Sequence, residues 1–176
     1  DDTPDVATAL RKRLKRDTED RLYVDAFILS HPDQDHVTGL QNHFHLGSPS
    51  EWSKKDDKIF IREMWSSPIV FRRADAKNPL CDDAKAWAKE ARRRVKRFRA
   101  DKFSTGEGDR ILIMGEDING KTNDIMDIVV KAEETVSKVN GVNDGAFEAR
   151  LLAPIPADDD DDAKELTRND SSVILR

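Results

Sequence analysis

A chain of 176 residues with 30 Lys+Arg against 35 Asp+Glu, net charge −5, is one ordinary domain or a large part of one. At 37% hydrophobic and 37% charged it is polar for a globular protein, yet it has enough apolar side chains for a lean core, which excludes wholesale disorder. No apolar run approaches the roughly 20 residues that cross a bilayer, and the single cysteine, Cys81, excludes an internal disulfide framework or a cysteine-cluster metal site.

Thr3, Pro4 and Asp5 read as a helix start, with Val6, Leu10 and Leu14 at helical spacing behind them. Residues 24–29 (Val-Asp-Ala-Phe-Ile-Leu) form a mostly continuous apolar run of strand length, which suits a strand buried on both faces. A helix is expected to open near His36 or Val37, carry Leu40 and Phe44 inward and end near Gly47. Residues 59–65 and 69–71 read as strands interrupted at Ser66-Ser67-Pro68. The clearest helix begins at Asp82 or Asp83 and reaches about Ala100, with Ala84, Trp87, Ala88, Ala91, Val95 and Phe98 on one apolar stripe. After a turn at Gly106-Glu107-Gly108 comes a strand over 110–114. Asn123 is then placed to cap a helix with Ile125, Ile128, Val129, Ala132, Val136 and Val139 inward, closed by Gly141. Residues 147–153 and 171–175 are further strands, and alternating strands and helices predict an α/β fold. The carboxylates at 158–162 repel one another and predict a solvated acidic loop within 157–170.

Chemistry concentrates at His31-Pro32-Asp33-Gln34-Asp35-His36, which puts two of the four histidines and two carboxylates directly after the first core strand. Alternate side chains of an extended segment point the same way, so His31, Asp33 and Asp35 can converge, and a turn into the next helix swings His36 beside them. Imidazole and carboxylate are donors for divalent ions, and strand C-termini in α/β folds are frequent sites. A polar surface turn flanked by two histidines is the other reading of the same spacing.

The longer string 27–40, Phe-Ile-Leu-Ser-His-Pro-Asp-Gln-Asp-His-Val-Thr-Gly-Leu, resembles the metallo-β-lactamase superfamily, whose signature is His-x-His-x-Asp-His between a strand and a helix. It is most similar to the branch with Asp at the second position, as in the hydrolase domain of ComEC-type competence proteins. Arg150-Leu151-Leu152-Ala153-Pro154 and Asn169-Asp170-Ser171-Ser172-Val173-Ile174-Leu175 resemble later strands of that branch, whereas 46–146 is a family-variable middle region. The resemblance implies a single metallo-β-lactamase-like domain over 1–176, an αββα sandwich truncated at both ends. It also implies His31 and Asp33 as ligands of a first metal, Asp35 and His36 as ligands of a second, and Asp35 as the catalytic group that orients or deprotonates water. Two divalent ions, zinc or manganese, are implied, and the hard oxygen of Asp33 strengthens the case for manganese or magnesium. The family's earlier strand pair, later histidines and bridging Gly-Asp pair have no counterpart here, so the remainder of a longer protein, or a complementing chain, is expected to supply them.

Residues 89–102 carry a local charge of +6 within an acidic chain. Arg93, Lys96 and Arg97 are candidate contacts to DNA or RNA, although an amphipathic helix with a solvated basic face has the same pattern. His43 and His45 read as surface histidines. The expectation is a metal-dependent hydrolase acting on phosphodiesters in a reducing, cytoplasmic setting. The alternatives are hydrolysis of another ester, thioester or lactone, and a non-catalytic interaction module built on the basic helix.

Overall fold

A computed structural model describes residues 5–71, 79–101, 105–117, 120–143, 145–154 and 172–176. Its centre is a four-stranded parallel sheet of β1 (Tyr23–Leu29), β2 (Phe60–Ser66), β3 (Arg110–Met114) and β4 (Val129–Val130), in that spatial order. Every crossover therefore steps one strand in the same direction, and right-handed crossovers of that kind place their connecting elements on one face. That face carries α2 (Gln34–Val37), α3 (Leu40–His43) and α4 (Asp82–Asp101). The opposite face is covered by a small antiparallel sheet of β5 (Thr135–Val136), β8 (Ala149–Ala153) and β9 (Ile174–Leu175). A hairpin of β6 (Lys138–Val139) and β7 (Val142–Asn143) is appended, and α1 (Val6–Arg13) precedes the sheet. The described residues thus form an α/β structure of three layers: helices, parallel sheet, antiparallel sheet.

Register explains the two cores. Phe27 pairs with Met64 and Met64 with Ile111, a row that faces the helices, while Trp65, Leu112, Met114 and Val130 face the antiparallel sheet with Val136, Leu151 and Val173. The helix α4 has the predicted extent, and Ala84, Trp87, Ala88, Ala91, Val95 and Phe98 are all buried. Trp87 donates its indole N–H to Ser66 Oγ at 3.1 Å. Arg94, also buried, clamps the helix to the sheet: it donates to Ile61 O and Arg110 O at 3.0 and 2.9 Å and pairs with Glu90 at 2.7 Å.

Several expectations are corrected. Strand β1 is not buried on both faces, because it is the edge of the sheet among the described residues, with Asp25 and Ile28 exposed. Asp5, accepting from Thr8 N, caps α1, which buries no residue and leaves Val6 exposed; Thr3 and Pro4 lie outside the described residues. The single helix expected from His36 to Gly47 is two short turns, α2 and α3, split at Gly39 with φ +93°. Residues 68–71 form a 3-10 turn rather than a strand. The helix expected after Asn123 is a short 3-10 helix (Asn123–Ile128) followed by β4, β5 and β6, with Asn140-Gly141 turning the hairpin. The acidic run 158–162 lies outside the described residues.

Candidate metal centre

Strand β1 ends at buried Leu29, and the chain leaves the sheet through Ser30, His31 and buried Pro32. Asp33 keeps an extended backbone (φ −78°, ψ 151°) while its carbonyl accepts from His36 N at 3.0 Å, so the turn of α2 starts with the Asp33 side chain off the helix end. The fold thereby produces two neighbouring pairs. His31 Nε2 lies 3.7 Å from Asp33 Oδ2, and His36 Nε2 lies 3.5 Å from Asp35 Oδ2. The two imidazole centroids are 4.2 Å apart. The pairs differ in access: His31 and Asp33 are 11% and 31% exposed, His36 and Asp35 46% and 81%. The inner pair sits against the protein and the outer pair meets solvent.

Two donor atoms each about 2.1 Å from one tetrahedral ion lie about 3.4 Å apart. The observed separations, 3.5 and 3.7 Å, are slightly longer than such an edge, and the N/O donor set suits a divalent cation, so the residues fit the group pairwise with a small closing movement. Convergence of all four on one point is not what the geometry gives: among the described residues no group of three or more His, Cys, Asp or Glu is arranged to hold a metal ion.

Two features that sequence reading missed support the motif. His31 Nδ1 has Ser30 Oγ at 3.1 Å and Ser172 Oγ at 3.0 Å, the latter from the segment leading into β9. Asp83, in the first turn of α4, accepts from Gly39 N at 2.8 Å and Gln41 N at 3.0 Å, fixing the chain where α2 gives way to α3. Burial works to raise the Asp83 pKa, and the backbone N–H groups of Gln41 and Gly39 outweigh it, leaving the carboxyl below its ordinary value. An acid at a helix start was legible; its remote partners were not.

His43 is exposed, whereas His45 is half-buried, within hydrogen-bond distance of Ser48 O (2.9 Å) and stacked near Phe60. Of the three cationic candidates on α4, Arg93 is tied to Glu90, Asp109 and Gly108 O, and Arg97 pairs with Asp101 at 2.8 Å. Lys96 is exposed. The outward stripe is instead Lys85, Lys89, Arg92, Lys96 and Arg99, all exposed and spaced three or four residues apart, hence on one helical face. Within it, Lys85 pairs with Asp82 and Arg99 with Asp124.

No family model, curated protein or solved structure matches the chain.

Proposed function

We propose that this chain belongs to a metal-dependent hydrolase of the metallo-β-lactamase superfamily that cleaves phosphodiester bonds, with DNA or RNA as substrate. The observation that carries the reading is the pairing of His31 with Asp33 and of His36 with Asp35 at the C-terminal end of a parallel strand. In this reading the helix and two sheet layers are part of an αββα sandwich. The inner pair holds one divalent ion, zinc or manganese, and the outer pair holds a second, with further ligands from the rest of the protein or a complementing chain. A bound ion supplies Lewis acidity that polarises the scissile group and activates water near neutral pH. Asp35, the more exposed of the two carboxylates, orients the incoming water and takes its proton. Pro32 stiffens the loop so that the donors are in place beforehand. The cationic stripe on α4 supports a phosphate-bearing substrate, because α4 opens beside the motif, where Asp83 holds Gly39 and Gln41. A cytoplasmic location belongs to the same reading, and the single cysteine, Cys81, is compatible with a reducing compartment.

The test is metal content and phosphodiesterase activity of the native protein, compared with His31→Ala and His36→Ala. Each variant is expected to lose bound metal and more than about 100-fold in activity, since even outer-shell losses cost 10–100-fold. Unchanged metal and activity in both would end the proposal. Hydrolysis of a neutral ester, thioester or lactone on the same residues is separated by its insensitivity to salt. An interaction module is separated by binding that survives both substitutions.

A further inference from the structure

We infer that Ser172 is a positioning residue for His31, fixing its tautomer so that Nε2 faces Asp33 as a ligand, and that it thereby couples metal capture to docking of the C-terminal strand β9. The inference rests on the metal reading above. Two hydroxyl oxygens, from Ser30 and Ser172, stand 3.1 and 3.0 Å from the same ring nitrogen. In the neutral ring that nitrogen has one in-plane site, either a lone pair or a proton. One lone pair serves two O–H donors poorly, whereas one N–H shared between two acceptor oxygens is a common three-centre bond. The pair of serines therefore selects Nδ1–H and leaves the lone pair on Nε2. That atom lies 3.7 Å from Asp33 Oδ2, also an acceptor, and a cation between two such acceptors turns repulsion into attraction. A ligand imidazole oriented through its other nitrogen is the usual outer-shell device of metal sites.

Ser172 is 141 positions from His31 in sequence, so the contact exists only when the last strand is docked. Docking is fixed next door: Val173 N donates to Ser30 O at 3.0 Å, Val173 is buried, and Arg150 and Arg176 exchange backbone hydrogen bonds at 2.8 and 3.0 Å. By linkage, an ion that needs the ring held by Ser172 stabilises the docked strand.

Three readouts test this on the native protein used for the metal measurement above, which brings the further ligands, with Ser172→Ala and Ser172→Thr beside the parent. Nitrogen-15 NMR of the metal-free protein, above the imidazole titration range, is expected to show the Nδ1–H form of His31 in the parent and in Ser172→Thr, and a mixture of tautomers in Ser172→Ala. Titration with Zn²⁺ alone is expected to show affinity about 10–100-fold weaker for Ser172→Ala, with Thr restoring it. Zn²⁺ is expected to slow hydrogen exchange at the Val173 amide in the parent and not in Ser172→Ala. Unchanged tautomer and unchanged affinity in Ser172→Ala overturn the inference, as does Zn²⁺ binding with no change in Val173 exchange. A parent that shows the Nδ1–H form, loses it in Ser172→Ala and takes up no Zn²⁺ supports the Ser172–His31 link and overturns the metal reading instead.

Discussion

Two buried glutamates respond to the same burial in opposite ways. Burial pushes the Glu63 carboxyl above its ordinary value, although the Trp65 indole N–H and the Asn140 backbone N–H both donate to it. Burial acts on Glu90 in the same sense, but the guanidiniums of Arg93 and Arg94 more than reverse it, and its pKa lies below the ordinary value. The consequences for stability have opposite signs. Glu90 contributes stability that is present above its unfolded value of about 4.3 and lost as pH falls through its folded value. Glu63 contributes stability that is present below about 4.3 and lost as pH rises through its raised folded value. Glu63→Gln, which keeps an acceptor for Trp65, is therefore expected to unfold at higher denaturant than the parent at pH 7 and at the same denaturant near pH 3.5. Glu90→Ala is expected to cost about 3–5 kcal/mol at pH 7, because it strands buried Arg94 as an unpaired charge. Denaturant midpoints at the two pH values check both; a Glu63→Gln variant less stable at pH 7 contradicts the assignment.

At the scale of elements, one glycine decides where the helical turn that follows the motif ends. Gly39 at φ +93° breaks what the apolar spacing of Val37, Leu40 and Phe44 presents as one helix, so that α2 ends at Val37, one residue after His36, and α3 starts afresh at Leu40. A Cβ there would make ordinary contact with His43 Cδ2 at 3.4 Å, so the cost of Gly39→Ala is backbone strain of about 1–2 kcal/mol rather than a clash. Thermal unfolding should shift down accordingly; an unchanged melting temperature would show that the turn tolerates a side chain. The long helix α4 was legible because its 20 residues hold one apolar stripe and open on two acids. The segment after Asn123 misled for a definite reason. Its apolar residues also satisfy helical spacing, but Val129, Val130, Val136 and Val139 are β-branched, and Asn140-Gly141, at φ +52° and +75°, is a two-residue hairpin turn. That dipeptide was the available signal. The local motif at 31–36 was legible in the same way as α4, whereas Asp83 and Ser172 act on it across 44 and 141 positions, and no local pattern encodes such contacts.

Across the whole molecule, charge is segregated rather than balanced. The chain is net negative, yet the outward face of α4 carries five cations over about 21 Å of helix, from a first turn that touches the motif loop. Because β1 and β2 are parallel, the chain leaves β2 at the same sheet end where β1 delivers His31, and α4 opens there with Asp83 on Gly39 and Gln41. The pairs Lys85–Asp82 and Arg99–Asp124 are surface ion pairs, each worth at most about 1 kcal/mol, so phosphates can exchange for those carboxylates at small cost. Lys89 and Lys96 carry no ion pair among the described residues and are the substitutions of choice, since neither takes part in the Glu90–Arg93–Arg94 cluster that holds the helix. Binding of a labelled single strand, measured by anisotropy between 50 and 200 mM salt, should give a negative slope of log affinity against log salt. Each phosphate contact contributes about 0.7 to that slope. The double variant Lys89→Gln, Lys96→Gln should flatten it by about 1.4 without changing the melting temperature. An unaltered slope would move the polyanion away from α4, and no salt dependence in the parent would remove nucleic acid as the substrate while leaving His31, Asp33, Asp35 and His36 free to serve a neutral ester.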